Sequence, residues 1–217
     1  MKQNLQHVQA MIDQYGHGNV TLVAVTKYQT LEAMNQMIAL GIADVGESRV
    51  QDLLLKLPEI SPERRIHFIG HLQRNKVKDI IEVVHLIHSV DSLRLAKEIN
   101  RQAKRVGRVI DILIQVNIAK EEAKYGFEEE DLESVLSQVA QMENLRVQGL
   151  MMMAPLEDDP EDARCYFRKM KELFDYYANL NYNNVYMKYL SMGMTNDYKI
   201  ALEEGSNMIR IGTALFR

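Results

Sequence analysis

Tryptophan is absent from these 217 residues, and a single cysteine, Cys165, is present. One cysteine excludes an intramolecular disulfide framework. Cys165 falls inside a helical pattern with no neighbouring base, so a bland, partly buried thiol is expected rather than a nucleophile. No apolar run approaches the ~18 residues needed to cross a bilayer, and the N-terminal MKQNLQHVQAMIDQ lacks the apolar core of a signal peptide. A cytoplasmic protein is expected. An excess of basic charge is missing too: 26 Lys and Arg stand against 30 Asp and Glu, for a formal net charge of -4. That speaks against a binder of nucleic-acid backbones, which needs a concentrated basic surface. Arg101, Lys104, Arg105 and Arg108 cluster at helical spacing and are expected to form a solvated helix face. No long heptad or exposed apolar stripe demands a partner copy, and a monomer is the expectation.

What the chain does have is alternation. Short β-branched runs exchange with longer stretches of helical period, without a compositional break to mark a domain boundary, so one domain over 1–217 is expected. Strands are read at 21–27, 43–46, 65–70, 86–90, 111–118, 147–153, 189–192 and 207–211. Helices are read near 2–14, 31–40, around 53–55, 75–83, 91–106, 129–142, 161–180 and 197–204. Gly41 suits the position just past a helix end. Eight strands interleaved with helices point to a (β/α)8 TIM barrel, with an open doubly wound sheet as the competing architecture.

In a parallel barrel, reactive groups gather at the C-terminal ends of the strands. Those ends here offer Lys27, Glu47, His71, Asp91, Asn117, Ser191 and Thr213. A lysine closing VAVTK would be desolvated by the neighbouring barrel wall, which lowers an amine's pKa and frees it to attack a carbonyl. The alternative is a strand-end lysine reaching water. Ser191-Met192-Gly193 and Arg210-Ile211-Gly212-Thr213 close the last two strands, where phosphate sites recur on this fold, and both offer glycines and hydroxyls. Arg210 alternates with apolar neighbours, so the barrel must hold a guanidinium, either against a ligand or paired with a core carboxylate. His67 and His71 lie on and just after a strand and lack a third ligand, which argues against a metal. Met151–Met153 is read as strand packing, and Glu121, Glu122 and Lys124 as a solvated loop. These residues alone leave two chemistries open. One is an imine-forming lysine that holds a phosphorylated cofactor; the other is a cofactor-free barrel enzyme acting on a phosphorylated sugar.

Several blocks together resemble one family. They are VAVTK at 23–27, VGES at 45–48, HFIGHLQRNKVK at 67–78, HSVD at 88–91, QVNIAKEEAKYGF at 115–127, GLMMMAP at 149–155, LSMGMTNDYKIALEEGS at 190–206 and MIRIGTALF at 208–216. The chain is similar, from about residue 20 onward, to the YggS/PROSC-type pyridoxal-phosphate homeostasis proteins. The resemblance implies a barrel of the alanine racemase N-terminal domain type and pyridoxal 5′-phosphate (PLP) held as a Schiff base on Lys27. It further implies phosphate contacts from Ser191, Gly193, Gly212 and Thr213, with Arg210 facing the ring nitrogen. It implies a carrier without dedicated turnover that meets apo enzymes transiently. The competing PLP-dependent racemase would need a second base from an additional β domain, and this sequence ends just past strand eight. One departure stands out: the family's asparagine and aromatic after Gly-Glu are here Ser48 and Arg49.

Overall fold

In the computed structural model, which describes residues 1–121 and 124–217, the eight strands among the described residues close on themselves. They are β1 Thr21–Val25, β2 Asp44–Glu47, β3 Arg65–Phe68, β4 Leu86–Val90, β5 Ile110–Gln115, β6 Leu145–Met151, β7 Val185–Ser191 and β8 Met208–Ile211. Each runs parallel to the next, and β1 returns to β8 with Thr21 opposite Met208 and Ala24 opposite Ile211. That last pairing excludes the open sheet. The helices are α1 Lys2–Tyr15, α2 Leu31–Ala39, α3 Val50–Lys56, α4 Val77–Ile80, α5 Leu93–Arg105, α6 Leu132–Val139, α7 Arg164–Ala178, α8 Tyr198–Glu203 and α9 Thr213–Phe216.

Local chemistry explains the boundaries. Thr30 and Ser92 cap α2 and α5 by accepting from the backbone N–H three residues on. Gly41, at φ 95°, ends α2 in the left-handed conformation that a glycine adopts without strain. Several strands stop short of their sequence-read ends, because pairing runs out at the C-terminal rim. β1 ends at Val25 and Lys27 falls in the following turn; β5 ends at Gln115 and β6 at Met151. Conversely, β7 begins four residues earlier than its apolar pattern suggested, since its first half alternates exposed and half-buried side chains. The short α9 was not expected.

Most apolar burial lies between the barrel wall and its helices. There Phe68, Ile87, Ile112, Val147 and Leu190 meet helix residues such as Met34, Leu95, Leu136 and Phe167. The barrel lumen holds a smaller apolar plug of Val23, Leu86, Leu113, Met151 and Met208. The rest of the lumen is polar, and it matters for the site. Two sequence expectations need correcting. Cys165 is exposed, not partly buried, because the buried stripe of α7 runs through Phe167, Met170, Leu173, Phe174 and Tyr177. Arg108 leaves the solvated helix face to donate to the carbonyls of Ile81 and Val84 beyond α4. No helix among the described residues is long and apolar enough to cross a membrane.

Candidate cofactor site at the barrel mouth

A cavity of about 480 Å³ opens at the N-terminal end of the barrel, and a larger one of about 620 Å³ at the C-terminal end. The larger lies within the roughly 300–1,000 Å³ common for small-molecule sites. Its wall brings together Lys27, Arg210, Gly212 and Thr213, which the sequence singled out, with apolar flanks from Val25, Ile69, Met153 and Pro155. Residues 25, 27, 210, 212 and 213 come from opposite ends of the chain and meet because β1 pairs β8.

Lys27 reaches this cavity from a turn, not from a strand. Gln29 N–H donates to the Thr26 carbonyl at 3.0 Å, and Tyr28 takes a left-handed φ of 64°. Lys27 itself is exposed. The expected desolvation by a barrel wall is therefore not found, since the residue sits past the last paired position, on the open rim. The turn is pinned from below. Thr26 Oγ1 donates to Glu47 Oε1 at 2.7 Å, and Lys56 Nζ donates to the same oxygen at 2.7 Å and to the Thr26 carbonyl at 3.0 Å. Glu47 was read as a strand-end candidate; it is fully buried and braces the lysine turn instead.

Arg210 forms the floor. Its Nη1 donates to Ser191 Oγ at 2.6 Å and its Nη2 to the Met152 carbonyl at 2.8 Å. Burial pulls its pKa down to about 10, partly offset by the Asp197 charge, so it remains a cation. Among the described residues no carboxylate lies in ion-pair contact with it, contrary to the core-pair alternative.

Ser191 and Gly193 do not line the cavity. Ser191 is fully buried, its hydroxyl committed to Arg210 and, at 3.1 Å, to His88 Nδ1. Gly193, at φ 93°, lets β7 turn against α8; a Cβ there would lie 2.6 Å from the Ala201 Cβ. The turn so made presents Met194, Thr195 and Asn196 to the cavity, residues the sequence reading passed over. Asp197 Oδ1 accepts from Met194 N–H at 2.6 Å, and Thr195 Oγ1 from Ala214 N–H at 3.4 Å, which joins the loops after β7 and β8. Burial raises the Asp197 carboxyl despite that hydrogen bond and the Arg210 charge.

Ser48 lines the cavity as well, although it departs from the family pattern. Across the mouth, His71 bonds Asp91 at 2.9 Å and stacks on Tyr125, with ring centroids 3.8 Å apart. Lys124 Nζ donates to Glu121 and, at 3.2 Å, to the Ala154 carbonyl, so Lys124 is tied to the rim rather than merely solvated. Glu122 of the same cluster lies outside the described residues. His67 is buried in the lumen and His71 sits at the rim, and among the described residues no group of three His, Cys, Asp or Glu side chains could hold a metal.

A family model described as alanine racemase, N-terminal domain, matches residues 1–217. The chain belongs to this family. Its relatives include a pyridoxal phosphate homeostasis protein of Aquifex aeolicus, 40% identical over 215 residues that make up 98% of this chain and 93% of that protein. Another pyridoxal phosphate homeostasis protein, from Synechocystis, is 36% identical over 91% of each. Among solved structures, PipY of Synechococcus elongatus superposes with a TM-score of 0.91 at 31% identity without PLP, and 0.88 at 30% identity with PLP bound, each pair covering 99% of both chains. Alanine racemase of Clostridium difficile, at 16% identity and a TM-score of 0.74, shares the fold over 99% of this chain and 56% of its own.

Proposed function

We propose that residues 1–217 act as one PLP-binding unit that holds the cofactor reversibly through the Lys27 amine, in the service of intracellular PLP homeostasis. The observation that carries this reading is the meeting of Lys27, Arg210, Gly212 and Thr213 on one cavity, in a chain that superposes on a PLP-bound relative. The donor set fits such a ligand. Hydroxyls and glycine backbone suit a phosphate, the apolar walls suit a flat ring, and a buried cation suits an unprotonated ring nitrogen. When bound, PLP supplies an aldehyde for an imine linkage and a ring whose electron-withdrawing power depends on its protonation.

Each residue then has a task. Lys27 forms the linkage from the braced turn. Gly212, Thr213 and Thr195 hold the phosphate; Ser191 and Gly193 support that role from one layer below, Ser191 by fixing Arg210 and Gly193 by shaping the 194–196 turn. Arg210, always charged at neutral pH, keeps the facing nitrogen unprotonated, which weakens carbanion chemistry and favours carriage over turnover. We place the protein in the cytoplasm as a monomer that meets apo enzymes transiently. Borohydride reduction of the PLP-loaded protein followed by peptide mapping should label Lys27, and Lys27→Ala should abolish the visible band. A label on another lysine would overturn the role of Lys27, and a colourless protein would return the sugar-phosphate reading. Turnover of alanine or serine enantiomers at rates comparable to dedicated racemases would overturn the carrier role.

A further inference from the structure

A continuous polar chain crosses the lumen. From Arg210 on β8 it passes to Ser191 Oγ on β7 at 2.6 Å, then to His88 Nδ1 on β4 at 3.1 Å. From His88 Nε2 it continues to His67 Nδ1 on β3 at 2.8 Å, and from His67 Nε2 to Asp44 Oδ1 on β2 at 2.8 Å. Arg65 closes the end by forking onto both Asp44 oxygens. β7 and β4 are not neighbours in the barrel, so the chain crosses the lumen rather than following the wall. Ser191, His88 and His67 are each no more than 2% exposed. One end lies in the C-terminal cavity with Arg210; the other lies in the cavity at the opposite face, which Asp44, Arg65 and His67 line.

The protons can be placed from one end alone. A guanidinium only donates, so Ser191 Oγ accepts from Arg210. The hydroxyl hydrogen then has His88 Nδ1 as its acceptor among the described residues, which leaves that nitrogen bare and puts the His88 proton on Nε2. His88 Nε2–H donates to His67 Nδ1, and His67 Nε2–H donates to Asp44, a carboxylate that only accepts. Every link points the same way and the assignment closes without conflict. Burial first, and the Arg210 charge, push the His88 imidazole well below its usual pKa, consistent with a neutral ring at that link. The oriented dipoles present a lone pair to the cation and an N–H to the anion, and links in such a chain polarise one another.

We propose that His88, His67 and Asp44 are positioning residues: a one-way hydrogen-bonded relay through the barrel that holds Ser191 as an acceptor and so aims the Arg210 guanidinium into the mouth cavity. That aim sets the ring-nitrogen environment of a bound cofactor, a consequence that rests on the PLP reading above. The relay itself is tested without ligand. In protein labelled with 15N at histidine, both His67 and His88 should appear at pH 7.5 as neutral Nε2–H tautomers; an Nδ1–H tautomer or an imidazolium at either position overturns the relay. With PLP loaded, Asp44→Leu removes the terminal acceptor and should raise the PLP Kd about tenfold, the scale of one charge-assisted hydrogen bond, and shift the visible band. Asp44→Asn also removes the charge facing Arg65, yet its amide oxygen still accepts from His67, so it should recover most of both signals. Equal losses in the two variants would assign the effect to the Arg65 pair and overturn the positioning role, as would no loss in either. If Asp44→Leu fails to fold, His88→Gln replaces it, with the same band shift expected and an unchanged band counting against the relay. A wild-type protein without a Lys27-dependent band would defeat the cofactor reading, while the tautomers would still judge the relay.

Discussion

Removing the Lys56 amine should do more damage than any other truncation at the rim of the barrel. Lys56 is 13% exposed and Glu47 is fully buried, with 2.7 Å between Nζ and Oε1. Glu47 Oε2 is also buried and has no hydrogen-bond partner among the described residues, so compensation for the carboxylate comes through Oε1 alone. Breaking a buried pair by removing one partner costs about 3–5 kcal/mol, and the slight exposure of Lys56 favours the lower end, about 3 kcal/mol. For a domain of this size that corresponds to a fall in Tm of about 6–12 °C. The double variant Glu47→Gln/Lys56→Met removes both charges and should recover about 2 kcal/mol relative to Lys56→Ala. Urea unfolding followed by circular dichroism measures all three, provided the m-values agree. Because Lys56 also holds the Thr26 carbonyl, Lys56→Ala should lower borohydride labelling of Lys27 at subsaturating PLP. A loss below about 1 kcal/mol, or a double variant no more stable than the single one, would refute the reasoning.

Acid should act through Asp44. Burial works to raise its carboxyl pKa, but hydrogen bonds from Arg65 and His67 outweigh it and hold the group well below the usual carboxylate range. A carboxylate depressed on folding adds stability above its unfolded pKa of about 4 and loses it as pH falls further, so Asp44→Asn should show a shallower acid limb in pH-dependent urea melts. His88 acts higher on the scale: its folded pKa lies below the unfolded value of about 6.5, so the unfolded chain binds the extra proton and stability falls as pH drops. The slope approaches about 1.4 kcal/mol per pH unit for one proton, and His88→Gln should remove it between pH 6.5 and 5. Gly70→Ala would put a Cβ 2.2 Å from the Ser48 carbonyl oxygen, and the resulting shift should cost about 1–3 kcal/mol and weaken PLP retention, read by thermal melts and spectral titration.

Legibility differed between fold and site. Strand and helix alternation carried the barrel, because the side-chain period of each element is written locally in β-branched runs such as Leu22–Val25 and Ile112–Ile114. Lys27, Arg210, Gly212 and Thr213 were legible because strand ends on this fold converge on one mouth. Ser191 and Gly193 were placed on the cavity by their motif, whereas the strand pairing sets them one layer lower and hands the wall to Met194, Thr195 and Asn196. A signal for the latter existed: the turn after a strand-ending glycine is where the chain leaves the sheet. Lys27 was expected to be shielded because it ends an apolar run, yet pairing stops two residues earlier and leaves it on the rim. Lys56 had no local signal, since a helix-end lysine resembles any solvated one until the fold lays it beneath a turn.

The sequence by itself therefore determined the kinds of element, their order and the strand ends where chemistry would gather, all of which follow from short-range periodicity and composition. Only the tertiary structure decided which polar groups distant in sequence meet. His88 and Ser191 are 103 residues apart, and Thr26 and Lys56 are 30 apart. No local pattern encodes such meetings: barrel closure turns His88 and Ser191 toward one axis, and the packing of α3 beside β2 brings Lys56 to the Thr26 carbonyl.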